Sequence, residues 1–164
     1  MTDRRHFAIK FLNMIKKSNS AGVCRHYAKT DSYRKTLDTI IKTGKCPFCP
    51  DNFKYHKKPI LKKYQGWLCT ENSWPYENTK HHFIIISKKH KETFSDLTLD
   101  DFKAIKYLVN WLVKEYNIKG GGLTMRFGEQ KYTGASVLHL HLHLIVPKLK
   151  SDKKMAEHVI FPIG

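Results

Sequence analysis

The sequence predicts an α+β domain, an antiparallel β-sheet with flanking helices and an added basic helical N-terminal segment. Two observations carry this. Short segments rich in β-branched residues, such as His82-Phe-Ile-Ile-Ile-Ser87, read as buried strands. Between them lies one long stripe of apolar residues at helical spacing, so strands, a helix and further strands follow in order. A chain of 164 residues fits one compact domain with a substantial core. Its 41% apolar and 12% aromatic content argues against a disordered polybasic protein.

From Asp3 to Lys17, Phe7, Ile9, Phe11, Leu12, Met14 and Ile15 recur with helical spacing, and Ser18 to Gly22 breaks the pattern. A second helix is predicted over Asp31–Thr43, with Leu37, Ile40 and Ile41 on one face and Gly44 as its stop. Ile60–Lys63 and Gly66–Thr70 are two short strands around a turn at Gln65-Gly66. Thr98, with Asp101 three residues on, marks the start of the long helix. Phe102, Ile105, Leu108, Val109, Leu112 and Val113 form its stripe, which ends near Asn117. Gly120-Gly-Gly122 turns into a strand near Leu123–Phe127, and a last strand is predicted over Val137–Val146. The tail from Lys148 reads as polar and peripheral up to Val159-Ile160-Phe161.

The formal charge of +16 is unevenly spread: residues 1–58 hold 14 Lys and Arg against 4 Asp and Glu. Such a field attracts nucleic acid or phosphate, or simply solubilises the surface. No apolar run is long enough to span a membrane as a helix. The N-terminus lacks an apolar stretch and a cleavage site, so it reads as part of the mature protein. Four cysteines, two of them in a Cys-x-x-Cys pair, suit a reducing compartment, and a cytoplasmic location is expected.

The segment with most chemistry is Gly134-Ala-Ser136-Val-Leu-His139-Leu-His141-Leu-His143-Leu-Ile-Val-Pro147. Strand alternation predicts that His139, His141 and His143 share one face and that the leucines share the core face. Neighbouring imidazoles then lie about 6–7 Å apart, a span suited to successive groups of a phosphate ester or anhydride. A metal-binding strand is the rival reading. Three core histidines satisfying one another would need a partner for every buried ring nitrogen.

His-x-His-x-His after Gly-x-Ser-Val resembles the histidine triad (HIT) superfamily of nucleotide hydrolases and transferases. His82-Phe-Ile-Ile-Ile-Ser-Lys-Lys-His90 and the Asn72-x-x-Pro75 pair also resemble that family's upstream segments. The resemblance covers 46–147 as a HIT-like catalytic domain, with 1–45 as a basic helical extension and 148–164 as a tail. It implies His141 as the nucleophile at an α-phosphorus, aimed by the backbone carbonyl of His139. It implies His143 at the phosphoryl oxygens and Ser136 at the leaving group. His82, Asn72 and Gly134 are the implied substrate-binding positions, Asn72 at the ribose. Where some dinucleotide-hydrolysing members carry Gln, equal-length alignment places Gly128, with Gln130 two positions on. A homodimer through the long helix and a sheet edge is a further expectation from the resemblance.

Cys46-Pro-Phe-Cys49-Pro50 forms the second constellation. The prolines favour a tight knuckle presenting two thiolates to one ion, and tetrahedral zinc then needs two more ligands. A zinc-bearing branch of the HIT family pairs such a knuckle with positions that correspond here to His90 and His139. His56 is the alternative ligand. With four protein donors the Zn2+ would be structural. Trp67, Trp74 and Trp111 read as core or dimer-interface residues, and Arg126 as either a phosphate contact or a polar-face residue. The expected partner is a nucleotide or nucleotide conjugate. The alternatives are a nucleic-acid end-processing enzyme engaging its substrate through the basic N-terminal segment, and a non-catalytic zinc- or nucleotide-binding module.

Overall fold

The computed structural model describes residues 21–152 and 154–164; the helix expected over Asp3–Lys17 lies outside the described residues. Five strands, β1 (Ile60–Tyr64), β2 (Trp67–Glu71), β3 (Thr79–Ser87), β4 (Gly122–Met125) and β5 (His141–Pro147), pair antiparallel in the order β1-β2-β3-β5-β4. Helices α1 (Asp31–Thr43), α2 (Leu99–Glu115) and the short α3 (Gln130–Thr133) accompany them. Gln65 and Gly66 both adopt positive φ in the β1–β2 turn, as the twist of a two-residue hairpin requires.

Strand alternation divides the sheet into two faces. Trp67, Cys69, Phe83, Ile85, Leu142 and Leu144 meet Ala104, Ile105, Leu108 and Leu112 of α2 in the main core. Leu68, Ile84 and Ile86 on the other face meet Phe48 and Phe53 beside the Cys46–Cys49 knuckle. A third cluster, with Val23, Leu37 and Ile40, packs α1 against the segment that precedes it. One face is therefore sealed by α2, and the other is left for chemistry.

Helix ends follow their side chains. Thr98 and Asp101 form a reciprocal capping box at the start of α2. Asp101 also accepts from Trp67 Nε1 at 2.8 Å and pairs with Lys91 Nζ at 2.5 Å, both charged side chains being only 13% exposed. The helix start is thereby tied to β2 and to the residue after His90. Thr30 caps α1 by accepting from the Tyr33 N–H at 3.1 Å, and Gly44 ends it in the left-handed region at φ 66°.

The last strand differs from expectation. It begins at His141, whereas the pattern predicts Val137 as its start. Residues 136–140 bond elsewhere: the Ser136 carbonyl accepts from Cys24 N–H at 2.9 Å, and Leu138 N–H donates to Gly22 at 2.6 Å. Leu140 N–H donates to the Lys91 carbonyl at 2.7 Å. With these partners the backbone bends at His139, which leaves the row formed by His141 and His143. The described residues of the tail between Lys148 and His158 are largely exposed. Asn78 Nδ2 donates to the His158 carbonyl at 3.0 Å, and Phe161 to Gly164 return to the open face of the sheet.

Candidate active site and metal centre

On β5, His141 and His143 project from the face that α2 does not cover. His141 Nδ1 lies 2.6 Å from the carbonyl oxygen of His139. A carbonyl only accepts, so Nδ1 carries the proton and Nε2 keeps its lone pair. Burial lowers the His141 pKa to about 4, and the ring is neutral near pH 7. A neutral imidazole with its proton fixed on the far nitrogen is a nucleophile in the correct tautomer.

A second chain of bonds sets the tautomer of His143. Tyr76 N–H donates to His82 Nδ1 at 3.1 Å, so the proton of the neutral His82 ring lies on Nε2. That nitrogen is 2.9 Å from His143 Nδ1, which must accept. His143 then carries its own proton on Nε2, a buried atom with no partner among the described residues. Burial holds the pKa of His82 at about 4 and that of His143 well below the usual histidine range. The unpartnered N–H, in a residue lining the cavity, can donate to an oxygen that enters there.

The cavity has a volume of about 440 Å³. Successive ring contacts order it from an apolar to a cationic end. Phe48 is 5.0 Å from His141, His141 is 4.9 Å from His143, and Tyr76 is 5.8 Å from His143. Leu37, Ile40, Tyr55 and Ile84 are further lining residues, and Ile84 belongs to the cluster that packs on Phe48. At the other end Lys29 Nζ lies 3.9 Å from the Tyr76 ring centroid, and Arg126 Nη2 donates to Tyr76 OH at 3.3 Å.

Ser136 also lines the cavity, its Oγ 2.6 Å from the hydroxyl of Tyr33 on α1. Burial raises the Tyr33 pKa to about 12, so this hydroxyl keeps its proton. Asn72 is part of the lining, and its Oδ1 accepts from Trp74 N–H at 3.0 Å. Its Nδ2 lies 3.4 and 3.2 Å from the two nitrogens of His82 and rests against that ring. His82 itself stands behind His143 and outside this lining. Gly134 has φ +65°, and a Cβ there would come within 2.5 Å of the Gly164 oxygen, so the close approach of the tail requires glycine.

Cys46, Cys49, His90 and His139 converge with all four donor atoms within 4.8 Å of one another. Cys46 Sγ is 3.3 Å and Cys49 Sγ 3.9 Å from His139 Nδ1, and Cys49 Sγ is 3.5 Å from His90 Nδ1. The two Nδ1 atoms are 3.2 Å apart. His139 Nε2 donates to the Ser87 carbonyl at 2.7 Å, and His90 Nε2 lies 2.8 Å from Glu92 Oε1. In the neutral form that metal ligation requires, both rings keep their proton on Nε2, and two Nδ1 lone pairs face each other with none between them. A cation resolves that repulsion. Zinc bonds of about 2.0–2.3 Å give tetrahedral edges of about 3.3–3.8 Å, close to the spacings found. Burial raises the Cys46 thiol to about 12, a shift that a bound cation reverses. His56 is outside the cluster, with Nε2 2.8 Å from Thr70 Oγ1.

The sequence matches the family model described as "Scavenger mRNA decapping enzyme C-term binding" over residues 45–158. The chain belongs to this family, within the histidine triad superfamily. An uncharacterized HIT-like protein from Chlamydia muridarum is 31% identical over 67 residues, 39% of this chain. The match spans 52%, about half, of that relative's length. Among solved structures, the histidine triad nucleotide-binding protein from Candida albicans superposes with TM-score 0.54 at 21% identity, over 73% of this chain and 84% of that one. A HIT family hydrolase from Clostridium thermocellum gives TM-score 0.50 at 21% identity, over 65% and 92%. These two likenesses establish the fold.

Within this histidine triad fold, several cavity residues escape a motif-based reading. Lys29 and Tyr33 precede the motifs, and no spacing signal links them to a site 100 residues on. Trp74, read as core or interface, stacks on Tyr33 at 4.2 Å in the cavity wall. Arg126, open between two readings, reaches the cavity, whereas Gln130 Nε2 donates to the Ala135 carbonyl at 2.9 Å. Trp67 is fully buried, and Cys69 lies in the same core.

Proposed function

We propose that the protein is a nucleotide hydrolase or nucleotidyltransferase acting at an α-phosphate through a covalent nucleotidyl-His141 intermediate. The observation that carries this is the His139 carbonyl on His141 Nδ1, which leaves Nε2 unprotonated in a residue lining the cavity. In the first step the Nε2 lone pair attacks the α-phosphorus, an Nε2–P bond forms, and the bond to the leaving group breaks. The ring becomes cationic because Nδ1 keeps its proton, and the His139 carbonyl stabilises that charge. His143 donates from Nε2 to a phosphoryl oxygen as negative charge develops. Ser136 donates to the leaving group while Tyr33 holds its oxygen. Water or another acceptor then attacks the phosphorus and loses its proton, the Nε2–P bond breaks, and neutral His141 returns.

Cys46, Cys49, His90 and His139 would hold Zn2+ with four protein donors, and the ion would act as a structural crosslink. Asn72 and Gly134 in the lining suit contacts to the nucleoside and the phosphate, and His82 acts through His143. A two-fold homodimer is part of the proposal. It is supported by the sheet-edge position of β4 and by the exposed aromatic residues Phe94, Phe102 and Phe127, Phe94 lying 6.0 Å from Phe102 and 5.5 Å from Phe127. Among the described residues no helix is long and apolar enough to cross a membrane.

A screen of purine phosphoramidates and dinucleotides against wild type and His141→Ala tests the reaction. Turnover by wild type alone is the expected result, and equal turnover by both would refute it. A nucleic-acid end as substrate is the second reading, favoured by the net +10 of residues 1–58 and by the match to a scavenger mRNA decapping enzyme family. It predicts oligonucleotide binding that weakens steeply with salt. Unchanged affinity after deletion of residues 1–20 and charge reversal at Lys35 and Lys42 would contradict it. A non-catalytic module would bind nucleotide without ever forming the histidine adduct.

A further inference from the structure

The peptide unit that aims His141 is held from both sides. Its carbonyl, on His139, accepts from His141 Nδ1 at 2.6 Å, and its N–H, on Leu140, donates to the Lys91 carbonyl at 2.7 Å. A trans peptide group is planar with its C=O and N–H pointing in opposite directions, so fixing one fixes the other. The Lys91 carbonyl therefore sets the direction from which the His139 oxygen meets the imidazole. It also polarises the amide, which makes that oxygen a stronger acceptor. The Leu140 carbonyl is held more loosely, by the Ser87 N–H at 3.4 Å.

The Lys91 side chain fixes that carbonyl in turn. Its Nζ donates to Asp101 Oδ2 at 2.5 Å and to the Asp96 carbonyl at 2.9 Å, with both members of the ion pair mostly withdrawn from solvent. Asp101 also accepts from Thr98 N–H, Thr98 Oγ1 and Trp67 Nε1, each at 2.8 Å. Burial alone would raise the Asp101 carboxyl, but the bonds from Lys91, Thr98 and Trp67 overcome it and hold the group well below the usual carboxylate range. The capping box of α2 is complete with Thr98 and Asp101, so the cap itself does not need the ammonium. Neither Lys91 nor Asp101 lines the cavity. We propose that the Lys91–Asp101 ion pair is a positioning device for His141. Through the Lys91 carbonyl it holds the His139–Leu140 peptide plane, and so keeps the His141 proton on Nδ1 and Nε2 free for attack. This rests on the reading of His141 as nucleophile and adds two residues that act on it without touching the reacting atoms.

The test reads the peptide plane by NMR and turnover separately. In Lys91→Met, amide exchange at Leu140 should accelerate about tenfold or more, and the Nδ1–H resonance of His141 should broaden and shift. Turnover of a purine nucleoside phosphoramidate should lose about tenfold in kcat with KM unchanged, because substrate still binds but meets a misaimed nitrogen. Lys91→Arg, which keeps a charged donor, should restore all three. Asp101→Asn removes the charge but keeps the shape of the cap, and carries the comparison if Lys91→Met fails to fold. Ile105→Val, a core truncation in α2, should lower the melting temperature and leave the Leu140 and His141 signals as they are. Unchanged Leu140 exchange and His141 resonance in folded Lys91→Met or Asp101→Asn would overturn the proposal, as would an unchanged kcat. The same spectral changes in Ile105→Val would also overturn it, by making them a mark of lower stability. If wild type turns over no nucleotide while both signals respond to Lys91→Met, the positioning stands and the nucleotide reading falls.

Discussion

The backbone carbonyl of His139 accepts from His141 Nδ1 at 2.6 Å, while the His139 ring turns to Cys46 Sγ at 3.3 Å. One residue thus joins the candidate metal cluster to the candidate nucleophile. Displacing the ring displaces the carbonyl that aims His141.

Metal loss should therefore lower activity although neither cysteine touches the substrate. Cys46→Ser or prolonged chelation is expected to remove near-stoichiometric zinc, lower the melting temperature and reduce turnover by about tenfold or more. Metal analysis, thermal melts and a turnover assay on the same preparations check this. Fully active, equally stable Cys46→Ser protein would break the link.

Buried histidines set the acid side of the stability profile. His82 titrates near 4 in the folded protein against 6.5 as the ordinary value, and His143 lies well below 6.5 as well. Between those values the unfolded chain binds protons that the folded protein refuses. Their contribution is intact above pH 6.5 and is lost as pH falls toward 4. Urea unfolding at about pH 7 and about pH 5 should show a larger loss for wild type than for His82→Gln. Equal losses would contradict the assignment.

Tyr33→Phe removes the hydroxyl that holds Ser136 but keeps a ring to stack on Trp74. Turnover number should fall by roughly 3–10-fold with little change in melting temperature, since only an orienting hydrogen bond is lost. A change in stability with unchanged turnover would make Tyr33 a packing residue only.

The features visible in the sequence were those set by local periodicity. Leu108 and Leu112 lie on the stripe that α2 buries, Thr98 and Asp101 cap it, and Gln65-Gly66 turns the first hairpin. The knuckle Cys46–Cys49 was visible for the same reason, two thiols and two prolines within five residues. The bend at His139 was hidden because its causes are distant: Gly22 takes the Leu138 N–H and Lys91 takes the Leu140 N–H. Alternation alone puts His139 in line with His141. Tyr33 and Ser136 meet across 103 positions and Gly134 meets Gly164 through the folded tail, pairings that only the packed structure supplies.

The central claim is a covalent adduct on one ring nitrogen. Rapid base-quenched mixing with an α-labelled nucleotide conjugate, followed by peptide mapping at alkaline pH where the N–P bond survives, tests it most directly. The account predicts label on His141 within the first turnover, and no label in His141→Ala. Turnover without any protein-bound label, or label that persists in His141→Ala, would contradict it.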